Sequence, residues 1–275
     1  MPDAFYSLPI AQMALWTAIA FVGSYWLGCF FARPILRLLL GGRERLNWAV
    51  GATLSTFGVL YGLLLSLLAV AGYQNLETVE KEANAEAAAL LALYVDVAEL
   101  PPETAAPIQD VLRDYCSSII EDEWPIQRQG KIPLASGGHV KRIRTDLLSL
   151  DASEHRTKLV QRLALDEFGS MTSHGRQRRY AATVSIPALM WYVVVAGTVV
   201  NYMLMWLFEM RLFNQLILGG AVAFFLGAII LLIAVMDRPY RSAKYGVTPE
   251  PFVVVQTIME RNAPADPGAS LDPPK

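Results

Sequence analysis

Small and polar residues recur every three or four positions along one apolar stretch of the chain. The first half of that stretch, Leu46–Tyr73, holds 28 residues without a charge. The residues that we single out as pore-lining are Asn47, Gly51, Ser55, Gly58, Gly62 and Ser66, and helical spacing puts them on one face. Such a face can line a hydrated pathway, where polar groups meet water rather than lipid. It also fits close helix–helix packing, because Gly and Ser let two backbones approach in a bilayer.

Charged residues flank the stretch at both ends and are candidates for the mouths of a pore. Arg43 and Arg45 precede it, and Glu77, Glu80, Glu82 and Glu86 follow it. Rings of charged side chains select ions when several subunits surround one axis, so a channel predicts an oligomer. Each residue also fits the simpler role of a charge beside a membrane helix.

The sequence contains no constellation that indicates catalysis or metal binding. It lacks a glycine-rich phosphate loop, a Cys/His cluster and the G-x-S-x-G and H-E-x-x-H motifs. Its two cysteines, Cys29 and Cys116, support neither a disulfide framework nor a thiolate metal site. The net charge of −2 gives no indication of nucleic-acid binding. We therefore predict that the protein is not an enzyme and has no cofactor or metal.

Several membrane-spanning helices must hold that face in place. Hydrophobic residues make up 54% of the 275 and charged residues only 17%, a balance typical of membrane proteins. Charge-free runs predict spans at residues 11–32, 46–73, 181–208 and 212–236. The first span is expected to end at Arg33-Pro34, and Pro187 either kinks the third or marks its start. No Asp, Glu, His, Lys or Arg lies within the spans, which argues against a pump or a proton-coupled carrier.

The predicted fold is an all-α membrane protein with four transmembrane helices in two hairpins and a helical extramembrane domain between spans two and three. The predicted divisions are a first hairpin (1–73), a helical domain (74–180), a second hairpin (181–236) and a tail (237–275) that is disordered at its end. The second helix should continue to about Leu100, because its acidic half lacks Gly and Pro and is rich in Ala, Leu and Glu. A helix from Glu103 to about Glu123 should pack against it, followed by a loop over 124–138, a helical segment near His139 and a helix from Ser153 to Phe168.

Short motifs in a consistent order resemble one family of bacterial membrane proteins. They are N-W-A-V-G from Asn47, the Gly58–Ser66 run, E-A-N-A at Glu82, the Arg178-Arg179 pair, M-D-R-P-Y-R from Met236 and V-T-P-E-P-F from Val247. Together they resemble the bestrophin-like domain proteins, whose function is unassigned. Tyr240 stands where members of that family have Phe.

The resemblance implies a function as well as a layout. Bestrophins proper are pentameric anion channels, chloride among their ions, with four spans per subunit and a pore lined by the second span. Their calcium-clasp acids and aromatic neck have no residue-by-residue match here. We therefore expect an oligomeric anion channel, a pentamer by family analogy, in the bacterial inner membrane, in contact with lipid and inorganic ions and with no nucleic acid. The alternative is a non-conducting scaffold or signalling module whose helical extension binds a partner.

Overall fold

The computed structural model of the chain describes residues 9–40, 46–133, 136–151, 153–241 and 246–262. Within these ranges the regular structure is helical, without strands. The helices are α1 (Ile10–Leu40), α2 (Leu46–Val97), α3 (Pro102–Ser118), α4 (Trp124–Arg128), α5 (Gly137–Leu148), α6 (His155–Ala181), α7 (Ala188–Leu207), α8 (Leu212–Met236) and α9 (Glu250–Arg261). A π-helical turn, Ile119–Glu123, joins α3 to α4. The all-α prediction is confirmed.

The chain divides into two compact units. Unit 1 comprises Met1–Glu77 and Val184–Gly246, and unit 2 comprises Thr78–Thr183 and Val247–Lys275. Among the described residues, four helices are long and apolar enough to cross a membrane: α1, α2, α7 and α8. The fourth predicted span, residues 212–236, coincides with α8.

Prolines set two helix limits differently from the prediction. Helix α7 begins at Ala188 with Pro187 as its N-cap, so the predicted start of the third span at residue 181 is wrong. Pro187 marks the start because its missing N–H and fixed φ suit a helix N-terminus. Helix α1, in contrast, passes through Pro34 to Leu40, so the predicted end at Arg33-Pro34 is also wrong. Membrane helices tolerate an internal proline because neighbouring groups satisfy the carbonyl that it frees.

Helix α2 is one uninterrupted helix of 52 residues. The sequence predicted this continuity from Leu46 to about Leu100, and it is confirmed. No proline falls between Leu46 and Val97, and the Ala, Leu and Glu of the second half are strong helix formers. The glycines lie in the apolar half, where α2 contributes to unit 1.

Aromatic residues fill the interior of unit 1, where α1 packs most extensively against α8 and also against α7. Tyr25, Tyr61 and Tyr202 belong to one buried cluster. Tyr25 and Tyr202 meet edge-on with their ring centroids 5.2 Å apart. The Tyr202 hydroxyl donates to the carbonyl oxygen of Phe21 at 3.1 Å. This hydrogen bond offsets the cost of burying the hydroxyl, because an unpaired polar group is unfavourable in an apolar interior.

Tyr61 connects α2 to α7 through hydrogen bonds of its hydroxyl group, and a single substitution can test their contribution to stability. The oxygen donates to the carbonyl of Val194 at 2.7 Å and lies 2.8 Å from the Thr198 hydroxyl. Tyr61→Phe is expected to lower the free energy of unfolding by about 1 kcal/mol, since it removes a buried hydrogen bond. Thermal unfolding in detergent measures this loss. Tyr73→Phe is the control, because Tyr73 is on the same helix with 53% of its surface exposed; equal effects would contradict the assignment.

Unit 2 contains the second half of α2 together with helices α3 to α6 and α9. Helix α9 belongs to its core, with Phe252, Val255 and Met259 buried. The prediction that residues 237–275 form one tail is therefore wrong for α9, while the disorder predicted for its end falls on residues 263–275, outside the described ones. The loop predicted over 124–138 is wrong at Trp124–Arg128, which is helical. Helix α6 also runs beyond Phe168 to Ala181.

Candidate functional site

The apolar half of α2 has one buried face and one open face of small residues. The buried face is formed by Tyr61, Leu65, Leu68 and Gly72. Tyr61 and Leu65 directly precede Gly62 and Ser66 of the small face, so the two faces are about 100° apart around the helix. Helix α2 approaches α8 closely at Gly72, where a Cβ would lie 3.2 Å from the Cβ of Met236.

The last four positions of the small face, Ser55, Gly58, Gly62 and Ser66, are the open ones. Ser55, Gly62 and Ser66 are exposed, and Gly58 is half-buried. A Cβ built at Gly58 or Gly62 meets no atom of the described residues within 4 Å. The Ser66 hydroxyl donates back to the carbonyl of Gly62 at 2.9 Å, which satisfies it within its own helix. Close packing against the described part of the chain therefore does not explain the glycines at these positions, Gly58 and Gly62.

Asn47 and Gly51, at the start of the same stripe, have a different environment. The Asn47 amide donates to the carbonyl of Glu209 at 3.2 Å and accepts from the Glu209 N–H at 2.8 Å. A Cβ at Gly51 would lie 3.4 Å from the Phe208 ring. These two residues bind the turn between α7 and α8, so the structure separates them from the four open positions. All six positions lie on one face of the helix at steps of three or four residues. The sequence alone therefore could not distinguish Asn47 and Gly51 from the four open positions.

The predicted mouth charges fall into three groups. Arg43 and Arg45 lie outside the described residues. Glu77 and Glu80 are exposed on α2, which is compatible with the predicted role. Glu82 lies 2.7 Å from His174 Nδ1, and the Glu86 side chain is fully buried. The hypothesis that Glu86 stands at a pore mouth is therefore wrong.

Glu86 lies on the face of α2 that builds the core of unit 2. Val79, Ala83, Leu90, Leu93 and Val97 share that face and have no exposed surface. An acid in the middle of an apolar stripe at helical spacing is the sequence signal that could have identified a buried carboxylate. Glu77, Glu80 and Glu82 precede it at more exposed positions, so the sequence does not distinguish Glu86 from these solvent-accessible acids.

Arg178 of α6 is the partner of that carboxylate and the centre of a buried charge cluster. Its Nε donates to Glu86 at 2.6 Å, Nη2 to Glu123 at 2.9 Å and Nη1 to Gln127 at 3.0 Å. The side chains of Arg178, Glu86 and Glu123 are fully buried. One guanidinium thus joins α2, α4, α6 and the π-helical turn.

Neighbouring side chains complete the cluster. The Tyr115 hydroxyl donates to Glu86 at 2.7 Å, and the Ser136 hydroxyl donates to Glu123 at 2.5 Å. Burial, together with the negative charge of Glu86, raises the pKa of Tyr115 well above its ordinary value, which keeps the phenol protonated as a donor. The guanidinium carbon of Arg178 lies 5.3 Å from the Trp124 ring centroid and 5.5 Å from that of Phe252. Both carboxylates are therefore paired and hydrogen-bonded, as buried charges must be.

Glu123 reaches Arg178 because the helix widens locally. A π-helical turn at Ile119–Glu123 buries both its first and its last residue. The neighbouring acids Glu121 and Asp122 point outwards and are not buried. Within the described ranges, no three of the His, Cys, Asp and Glu residues form a group able to hold a metal ion. The two buried carboxylates, Glu86 and Glu123, pair with the guanidinium group of Arg178.

Comparisons with known proteins point to one family. The sequence profile of the Bestrophin-like domain matches residues 21–252. A solved variant of a bacterial bestrophin homologue from Klebsiella pneumoniae shares 11% identity over 90% of this chain and 97% of its own, with a TM-score of 0.66. A solved membrane protein variant shares 12% identity over 89% and 96%, with a TM-score of 0.65. No curated protein matches significantly in sequence. At these identities the structural likeness establishes the fold.

Proposed function

Because the chain belongs to the bestrophin-like domain family, we propose that it is a subunit of an oligomeric ion channel in the bacterial inner membrane. Four spans in two hairpins, formed by α1, α2, α7 and α8, would cross the bilayer. Bestrophins proper are pentameric, and a ring of five subunits is the arrangement that the resemblance implies. Lipid would cover the apolar outer surface, and inorganic ions would pass along the axis.

The open face of α2 is the observation that carries this proposal. A Cβ at Gly58 or Gly62 would meet no described atom within 4 Å, and Ser55 and Ser66 are exposed, although small residues are otherwise used for close packing. On another side of the same helix, Leu60, Leu63 and Leu67 are more than half exposed. Apolar exposure suits lipid or a neighbouring subunit, whereas hydroxyl groups and bare backbone suit a water-filled axis. These four residues are therefore the proposed pore lining.

Selectivity for anions is part of the proposal and comes from the family resemblance. The Ser55 hydroxyl in the proposed lining can donate a hydrogen bond to an anion without a fixed positive charge. The exposed carboxylates of Glu77 and Glu80 would place negative charge at one mouth, which by itself favours cations, so anion selection would have to come from the lining. Reversal potentials under chloride and sodium gradients decide between anion and cation conduction.

Enlarging the open face tests conduction directly. Ser55→Leu and Gly58→Leu are expected to reduce chloride flux in reconstituted vesicles towards that of protein-free vesicles, because bulky groups would close a narrow axis. The subunit itself should still fold, since a Cβ at Gly58 has open space. Leu60→Phe is the control, as it enlarges the exposed apolar side of the same helix. Unchanged flux in folded, oligomeric variants would contradict the channel.

The alternative function is a non-conducting scaffold or signalling module. In that case the small face would form a closed seam between subunits. Bulky substitutions there would then break the oligomer, and wild-type protein would give no flux above the protein-free background. Measuring oligomeric state and flux on the same preparations separates the two functions.

A further inference from the structure

Unit 2 contains a second feature that ion conduction does not use, a cavity of about 450 Å³ between α5 and α6. Four cationic side chains line it, Lys141 and Arg144 from α5 and Arg176 and Arg179 from α6. Each helix contributes its pair at a spacing of three residues, so both members of a pair lie on the same side of their helix. None of the described residues that line the cavity carries a carboxylate.

The charges of these four residues are poorly compensated. No described carboxylate lies within 4.0 Å of Lys141, Arg144 or Arg176, whereas the neighbouring Arg142 pairs with Asp146. Arg179 Nη1 lies 3.8 Å from Glu123, a distance beyond hydrogen bonding. That nitrogen is buried and donates no hydrogen bond within the part of the chain that the structure describes. Like charges repel in one cavity, so the site favours a bound anion.

The rest of the lining suits a phosphate group. Helix α5 starts at Gly137 on the wall of the cavity, and the N-terminal end of a helix attracts anions through its free N–H groups and its dipole. Arginine forks match the oxygens of phosphate in paired hydrogen bonds. Val140 and Phe168 add an apolar wall that can receive the organic part of a ligand. A singly charged ion would leave most of the four charges unpaired.

We propose that this cavity binds a multiply charged phosphate group, carried either by a small soluble molecule or by a lipid headgroup. Binding would stabilise unit 2, because a ligand that binds only the folded state shifts the folding equilibrium towards it. Ser136, which lines the cavity, also donates to Glu123 and so connects the cavity wall to the buried cluster. The proposed phosphate site does not depend on ion conduction, so it can be tested independently of the proposed channel.

Titration with inorganic pyrophosphate tests the proposal. The purified full-length chain in detergent should show a saturable rise in melting temperature at constant ionic strength, with chloride as the comparison ion. The double variant Arg144→Gln/Arg176→Gln should bind pyrophosphate at least about tenfold more weakly, because it removes two charge-assisted contacts. Both residues are exposed, so the variant is expected to fold.

A second experiment distinguishes a soluble phosphate ligand from a lipid headgroup. Nanodiscs with phosphatidic acid are compared with nanodiscs of phosphatidylcholine alone, each with wild type and the double variant. Saturation by pyrophosphate indicates a soluble ligand, whereas stabilisation by phosphatidic acid alone indicates a lipid headgroup. Arg142→Gln/Arg156→Gln is the matched control, since it removes two exposed arginines of unit 2 outside the cavity. An absence of stabilisation in both arms, or stabilisation that the double variant retains, overturns the site.

Discussion

Arg178→Ala is expected to unfold unit 2 or to leave it without fixed tertiary packing. The substitution removes the positive charge between Glu86 and Glu123 while both carboxylates remain fully buried. Breaking a buried ion pair by deleting one partner costs about 3–5 kcal/mol, because the remaining charge is uncompensated. Near-UV circular dichroism and limited proteolysis of the full chain in detergent measure this loss. We expect faster cleavage within residues 78–183.

Two further variants separate charge from geometry at this position. Arg178→Lys should recover only part of the stability, since an ammonium group cannot reach Glu86, Glu123 and Gln127 together as a planar fork does. Arg156→Ala is the control, because its ion pair with Glu99 is solvent-exposed and should contribute less than about 1 kcal/mol. Wild-type stability in Arg178→Ala would show that the buried cluster does not hold unit 2 together.

Gly219→Ala is expected to destabilise unit 1 by about 1–3 kcal/mol through overpacking. The new Cβ would lie 2.0 Å from the Tyr25 hydroxyl oxygen and 2.1 Å from its Cζ. Tyr25 has no exposed surface and packs edge-on against Tyr202, so its ring cannot move aside without displacing others. Helices α1 and α8 would have to separate. The melting temperature in detergent measures the effect.

A double-substitution cycle assigns that effect to one contact. Tyr25→Leu shortens the opposing side chain, so Gly219→Ala should cost less in that background than in the wild type. Gly23→Ala is the control on α1, since a Cβ at Gly23 has no neighbour within 4 Å among the residues described. Additive losses in the cycle would mean that Gly219 is needed for another reason.

The parts of the fold that were predicted correctly follow from uninterrupted local signals. Helix α2 has no proline over its length, and α8 is flanked by Arg211 and Asp237 on either side of a charge-free run. Such signals depend only on neighbours in the chain. The end of α6 carries no such signal, because its basic residues between Gly169 and Ala181 resemble a solvated loop.

The candidate site was only partly accessible to sequence reasoning, for a physical reason. On α2, buried Leu65 and exposed Leu63 are equally apolar, so sequence does not show which one faces the protein and which faces lipid. The small residues were visible, but contacts with Glu209 decide that Asn47 differs from Ser55. Arg178 is buried because carboxylates 92 and 55 positions away in the chain surround it. Pairing of that range cannot be inferred from helical periodicity.

Both cysteines of the chain are inaccessible, which has a consequence for chemical labelling. Cys29 and Cys116 are the only thiols, and both are buried. Burial raises the pKa of Cys116 to about 12, so its thiolate is scarce at neutral pH. The native chain can therefore serve directly as the unreactive background for single-cysteine scanning. Modification by a charged methanethiosulfonate reagent at Ser55→Cys or Ser66→Cys would then report water on that side of α2, one position at a time.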